Sequence, residues 1–284
     1  MLVLSASCTT PGPLFSARLE RAENSARLSL GRLRVGVPAG FSRRDAETST
    51  TGVEVWTEAL EGPPEAAWAR ALAALPSGAE RERLDWSDGV RAVIWERGND
   101  RYLQVMKPFD DHVVWLLRDY PEPKRAIAEK LLRELVRVYA PGSRDGFAVE
   151  HGAFQRVAQL ENARLSLVGP SDALRLRLIS RSTVAAEVRD PAAIAAEVRA
   201  VGGTFELLRA RRRTVAGLDG DELVMRLSSR DLEPQVRFEW AHRGAPSNRD
   251  PGLSLEAIGP ASSAATLEQA WEQLLDSLEV ELPP

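Results

Sequence analysis

Gly217-Leu218-Asp219-Gly220-Asp221-Glu222 sets three carboxylates among glycines, and its chemistry depends on what such a loop could bind. Glycine-rich loops cradle phosphate through backbone N–H groups, but this one carries no lysine and its negative charge would repel the ligand. The repeated acidic ligands and distal glutamate of an EF-hand calcium loop are also missing. A hairpin fits better, with Asp219-Gly220 as its two-residue turn and solvated acids around it. Just upstream, Arg209, Arg211 and Arg213 fall on alternate positions. On a strand they share one face with Leu207, while Arg212 takes the other. That row suits either an acidic partner or the solvated side of a sheet.

No complete catalytic set accompanies these charges. Gly40-Phe41-Ser42-Arg43-Arg44 lacks the second glycine of a Gly-x-Ser-x-Gly nucleophile elbow. Neither a His-Glu-x-x-His helix nor a cysteine pair is present to hold zinc. His112, His151 and His242 are scattered, each in or beside an expected strand, and read as structural or surface residues. Trp95, Trp115, Trp240 and Trp271 occupy apolar runs and are expected in cores. The residues thus name no catalytic group, metal or cofactor, and a binding protein is the better reading than an enzyme.

The elements that position these residues follow from periodicity. Alternation marks strands at 27–38, Val53–Thr57, Val90–Trp95, Tyr102–Met106 and His112–Leu117, the later ones joined by short polar turns as in an antiparallel meander. Helices are expected after Pro63-Pro64, with Trp68, Ala71, Leu72 and Leu75 on one face, and over about 123–139. The second helix carries Ile127, Leu131, Leu135 and Val138 as its apolar stripe, widened by Ala128, Leu132 and Val136. After Pro141-Gly142-Ser143-Arg144-Asp145-Gly146, the run Phe147–Phe154 reads as a strand and turn. It could close a first domain or lead into a second. Strands follow at 164–168 and 174–179, and a helix opens at Asp190-Pro191 and stops at Gly202-Gly203. Further strands cover 204–215, 222–227, 236–240 and 253–258. Thr266-Leu267-Glu268-Gln269 reads as a capping box for a last helix with Leu267, Ala270, Trp271, Leu274, Leu275 and Leu278 inward. Both halves run strands, helix, antiparallel strands, helix, the order a distant structural repeat would leave.

At 284 residues the chain favours two domains over one. The expected organisation is α+β throughout: a tether over 1–25, an N-terminal domain over 26–145 and a C-terminal domain over 146–284, each a mainly antiparallel sheet packed with helices. A net charge of −4 disfavours a nucleic-acid surface. Cys8 is the only cysteine, which excludes an internal disulfide. The apolar-to-small run Met1–Ser7 ahead of it is similar to a bacterial lipoprotein signal cleaved before a lipidated cysteine, with Thr9-Thr10-Pro11-Gly12-Pro13 as tether. Ser5 stands where that pattern has leucine, and no cation precedes Arg18. Either the true start lies upstream or Cys8 is incidental.

Several pieces then line up in order. They are Phe147–Phe154 with Gly152; Arg213, Ala216-Gly217 and Gly220-Asp221-Glu222; Phe238-Glu239-Trp240 followed by Gly244; the strand Pro251–Glu256; and the helix from Trp271 to Leu278. This series resembles the immunity proteins that neutralise type VI secretion lipase effectors, well over 147–282 and diffusely over 27–140. The resemblance implies a periplasmic protein, and lipidation at Cys8 would anchor it to the membrane. It also implies a phospholipase of the α/β-hydrolase kind as partner, gripped so that its lid stays shut or its mouth is blocked. No nucleic acid or small-molecule substrate is implied, and the motif residues are mainly structural. The competing reading is a non-enzymatic envelope lipoprotein with a structural or secretion-scaffold role.

Overall fold

In the computed structural model, the residues described are 27–77, 79, 81–144, 146–155, 161–182, 185–229, 232–245 and 249–281. Cys8 and the expected tether lie outside them. The chain opens with β1 (Arg27–Leu30), β2 (Leu33–Gly36), β3 (Ser42–Thr50) and β4 (Val53–Ala59). Thr51 and Gly52, both at positive φ, make the tight turn between β3 and β4. Helix α1 (Pro64–Ala73) begins on the expected proline. A meander follows: β5 (Arg81–Asp85), β6 (Arg91–Arg97), β7 (Asp100–Pro108) and β8 (His112–Tyr120). Then come α2 (Arg125–Val138), β9 (Tyr139–Pro141), β10 (Phe147–Val149) and β11 (Gly152–Phe154).

The second series is β12 (Asn162–Val168), β13 (Arg175–Arg181), α3 (Pro191–Ala200), β14 (Thr204–Val215), β15 (Leu218–Ser229), β16 (Leu232–His242), β17 (Gly252–Pro260), α4 (Ala264–Ser277) and β18 (Glu279–Val280). Its sheet order is β14-β15-β16-β17-β13-β12, and that of the first series is β5-β6-β7-β8-β4-β3. The two orders are the same once each strand is matched to its counterpart. The helices match as well: α1 and α3 have ten residues each, α2 and α4 fourteen. Helix α2 buries its fourth, eighth and eleventh residues, Ala128, Leu132 and Leu135; α4 buries Leu267, Trp271 and Leu274 at the same places. The repeat suggested by element order is therefore a duplication of topology.

Two compact units result. The larger comprises residues 27–28, Leu33–Ala46 and those from Asn162 on; the smaller comprises Ser29–Arg32 and Glu47–Glu161. This division differs from the expected cut between 145 and 146. Phe147–Phe154 belongs to the smaller unit because β11 pairs with both β9 and β10, directly after α2. Residues 33–46 join the larger unit, where β2 pairs with β18 at the other end of the sequence. Local alternation reveals neither pairing, since both partners read as ordinary strands.

In the smaller unit, α2 packs on one sheet face through Val55, Ala92, Val105, Leu116, Leu132 and Leu135. The opposite face carries Trp115, stacked on Trp56 at 6.0 Å and on Trp68 of α1 at 6.1 Å. Ile127, expected inside, is exposed, because the buried stripe of α2 runs through Ala128 and not its neighbour. In the larger unit α4 covers a sheet face that includes Phe238, Trp240 and Leu255, and Phe238 meets Trp271 at 5.9 Å. Helix α3 covers the opposite face of β15 through Ile194, Leu223 and Met225. Its start is as expected: Asp190 accepts from the Ala192 amide at 3.0 Å. The capping box is not formed. A 3₁₀ turn over Ala261–Ser263 leads into α4, so Thr266 already lies within the helix.

Candidate functional site

The β14–β15 hairpin turns at Ala216-Gly217, with φ of 53° and 79°, and not at Asp219-Gly220. Both turn residues are left-handed, as a two-residue hairpin of this twist requires. The reason for the displacement lies in the charges. A turn centred on Asp219-Gly220 would set Arg213 opposite Arg226, whereas the observed register sets Arg211 opposite Glu222 and Arg212 opposite Asp221. It also brings Gly220 under Trp240. A Cβ on Gly220 would lie 2.5 Å from the indole and 2.7 Å from the Ala241 carbonyl oxygen, so only glycine fits.

Glu222 is the centre of the arrangement. Its side chain is 0% exposed. The Trp271 indole N–H donates to its Oε1 at 3.0 Å, Arg211 binds its Oε2, and Arg213 and Arg209 reach Oε1 at 3.3 and 3.4 Å. Arg213 continues outward with a two-pronged contact to Glu272 at 3.0 and 2.6 Å, and Arg209 reaches Glu268 at 3.1 Å. Although Arg211 keeps nearly half of its surface exposed, the arginine row is thus more than a solvated face. It clamps a buried carboxylate to the hairpin and ties the hairpin to α4. The Trp240 indole N–H adds a bond to the Arg213 carbonyl oxygen at 3.0 Å.

Burial alone would raise the Glu222 carboxyl. The hydrogen bonds from Trp271 and Arg211, with the charges of Arg209 and Arg211, outweigh it and hold the group below the ordinary glutamate value. Arg213 is held further toward its charged form, chiefly by Glu272. A carboxylate so enclosed and so fully donated to cannot serve as a general base. Its chemistry is structural.

The remaining residues singled out by sequence fall in two places. Gly244 (φ 62°) turns the chain after β16, where a Cβ would strike the Asp250 and Pro251 backbone at 2.6 Å. Beside it, His242 bridges the Asp219 carbonyl oxygen and the Asp250 carboxylate, each at 2.7 Å. Gly152 lies in the smaller unit, apart from this cluster. A Cβ there would sit 2.5 Å from the Tyr139 hydroxyl, which is hydrogen-bonded to buried His112 at 2.9 Å. His112 is also bonded to Asp111 at 2.6 Å and stacks on His151 at 5.1 Å. This carboxylate–imidazole–hydroxyl chain ends on a phenol that burial and the charge of Asp111 push up, so it offers no activated nucleophile. Gly152→Ala is expected to cost about 1–3 kcal/mol, as overpacking of a filled site does, measured as a lower urea midpoint. Tyr139→Phe, which removes the struck oxygen, should recover part of that loss.

Sequence reasoning missed Arg209 and Arg211 as ligands of Glu222, and Glu268 and Glu272 as their outer partners. A signal was available. Glu268 and Glu272 lie four apart on one helix face, an acidic pair flanking the inward Trp271, as Arg209, Arg211 and Arg213 form a basic row on one strand face.

No protein-family model matches this sequence, and no curated protein matches it. Solved structures do. The apo immunity protein TplEi of the T6SS from Pseudomonas aeruginosa aligns at a TM-score of 0.67 and 18% identity, over 92% of this chain and 99% of that one. The same protein in complex with an "L" peptide gives 0.65 and 18% identity, over 92% and 100%. A chain of the Tle4–Tli4 complex gives 0.68 and 18% identity, over 93% and 100%. This chain therefore has the fold of those proteins along almost its whole length.

Proposed function

We propose that this chain is an immunity protein that binds and silences a phospholipase effector of a type VI secretion system in the periplasm. The observation that carries the reading is the shared fold over more than nine-tenths of this chain and nearly all of TplEi, a T6SS immunity protein. The site chemistry supports it, since the most elaborate polar cluster among the described residues holds its carboxylate shut. Inhibition by binding requires no reactive group on the inhibitor. It requires a large matched surface, on the order of 1,600 Å² or more for a tight complex. Blocking the hydrolase mouth is one route. Holding a lid closed is the other, and it works only if the closed state is bound more tightly than the open one.

The test is isothermal calorimetry and lipase assay with the product of any α/β-hydrolase gene adjacent to this one. Nanomolar binding with loss of hydrolysis is expected, and absence of binding would remove the proposal. No helix among the described residues is long and apolar enough to cross a membrane. Lipidation at Cys8 is the anchoring route proposed, on the apolar-to-small run Met1–Ser7 ahead of it. Cys8→Ser should move the protein from the membrane to the soluble fraction without altering its melting. Unchanged fractionation would count against acylation.

A further inference from the structure

Strand β14 is the end strand of its sheet, so one of its backbone edges faces no strand among the described residues. It is twelve residues long, while its counterpart in the duplicate topology, β5, has five. Short edge strands, bulges and charge are the usual guards against edge pairing. The smaller unit uses the first. The larger unit keeps a long edge and places a bulge at Leu208, between the pairs Leu207–Met225 and Arg209–Val224. Four large hydrophobic residues are strongly exposed among those described, and two of them lie on this strand, Leu207 at 42% and Leu208 at 43%. Further along the same strand, Arg212 is 75% exposed and only grazes Asp221 at 3.5 Å. Arg211 is nearly half exposed although it binds Glu222.

We infer that β14 is the receiving edge for an extended acidic segment of the partner protein, which joins the sheet as an additional strand. The inference rests on the proposed immunity function and adds where the effector docks. Main-chain hydrogen bonds supply the affinity of such an addition, and alternate side chains supply its selectivity. The incoming segment needs apolar residues beside Leu207 and Leu208 and carboxylates beside Arg211 and Arg212. A second copy of this chain fits poorly where the two arginine rows align, because Arg209, Arg211, Arg212 and Arg213 would crowd against their own kind, and offset pairings are read by sedimentation.

The test uses the full chain and synthetic peptides of valines followed by glutamates, in both block orders, with lysine counterparts. Hydrogen exchange should show new protection confined to β14 with one of the acidic peptides, and the order that binds reads the strand direction. Arg212→Glu should weaken that peptide at least about tenfold, a loss of about 1.4 kcal/mol, and Leu207→Asp should act likewise. Ile127→Asp, an exposed apolar site on α2, should leave binding unchanged and serves as the control. Failure of all acidic peptides to bind, equal binding of lysine peptides, or a dimer by sedimentation would each overturn the inference. The hydrolase separates the two readings: if it binds and is inhibited while β14 amides exchange freely, docking on this edge is wrong and the immunity function stands. If no hydrolase binds, the immunity function fails, and the peptides still decide whether the edge receives acidic strands.

Discussion

Glu222→Ala is expected to destabilise the larger unit by about 3–5 kcal/mol, the range seen when one member of a buried charged network is removed. The loss has two parts. The carboxylate disappears, and the buried Trp271 N–H and the largely covered Arg213 lose an acceptor that water cannot readily replace, while Arg211 can turn to solvent. Glu222→Gln should cost less, since its amide oxygen still accepts from Trp271. The pH dependence gives an independent check. The folded carboxyl titrates below its unfolded value, so the unfolded chain binds more protons between the two. Its contribution is therefore complete above about pH 4.5 and is lost as pH falls through the lower, folded value. Glu161 runs the other way, because burial outweighs its contact with Arg32 and raises its carboxyl. The difference between wild type and Glu222→Ala, followed by denaturant unfolding from pH 7 down to pH 3, isolates the Glu222 part. A gap that stays constant over that range would refute the ionised, clamped state.

Trp240→Ala should cost about 3–5 kcal/mol as well, by the different mechanism of an unfilled core. The indole is fully buried, packs over Gly220 and donates to the Arg213 carbonyl. The contact with Gly220 makes a sharper test than the loss alone. Gly220→Ala in the wild type forces a methyl into the indole. In the Trp240→Ala background much of that conflict is gone, although the Ala241 carbonyl oxygen remains 2.7 Å away. The double mutant should thus be more stable than the sum of the two single losses, by roughly 0.5–3 kcal/mol of coupling. Additive losses would show that Trp240 does not set the need for glycine.

Much of the architecture was legible because helix and strand periods are local. The Asp190-Pro191 helix start and the apolar face of α4 are legible where they occur, and most meander strands are located but read too short, by up to four residues at the ends of β15 and β16, while β5 leaves no alternation to read. What failed was whatever depends on partners far away in sequence. Asp219-Gly220 is a good turn pair in isolation, yet Ala216-Gly217 turns instead, because only that register pairs arginines with acids and slides a glycine beneath Trp240. The same distance hid the site. Arg209, Arg211 and Arg213 look like surface charges until α4, some sixty positions onward, supplies Trp271, Glu268 and Glu272. The resemblance had marked Gly220, Glu222, Trp240 and Trp271 individually, and the structure shows why they occur together. Gly152 belongs to a separate cluster around Tyr139.

The pairing of β2 with β18 has a consequence for biogenesis. The larger unit interleaves an early segment with a late strand, so the small β1-β2-β18 sheet cannot form until Val280 has left the ribosome. The smaller unit contains nearly all of its own sequence between Glu47 and Glu161 and can collapse first. The join between β2 and β18 is thereby among the last contacts made, after the smaller unit has had time to collapse.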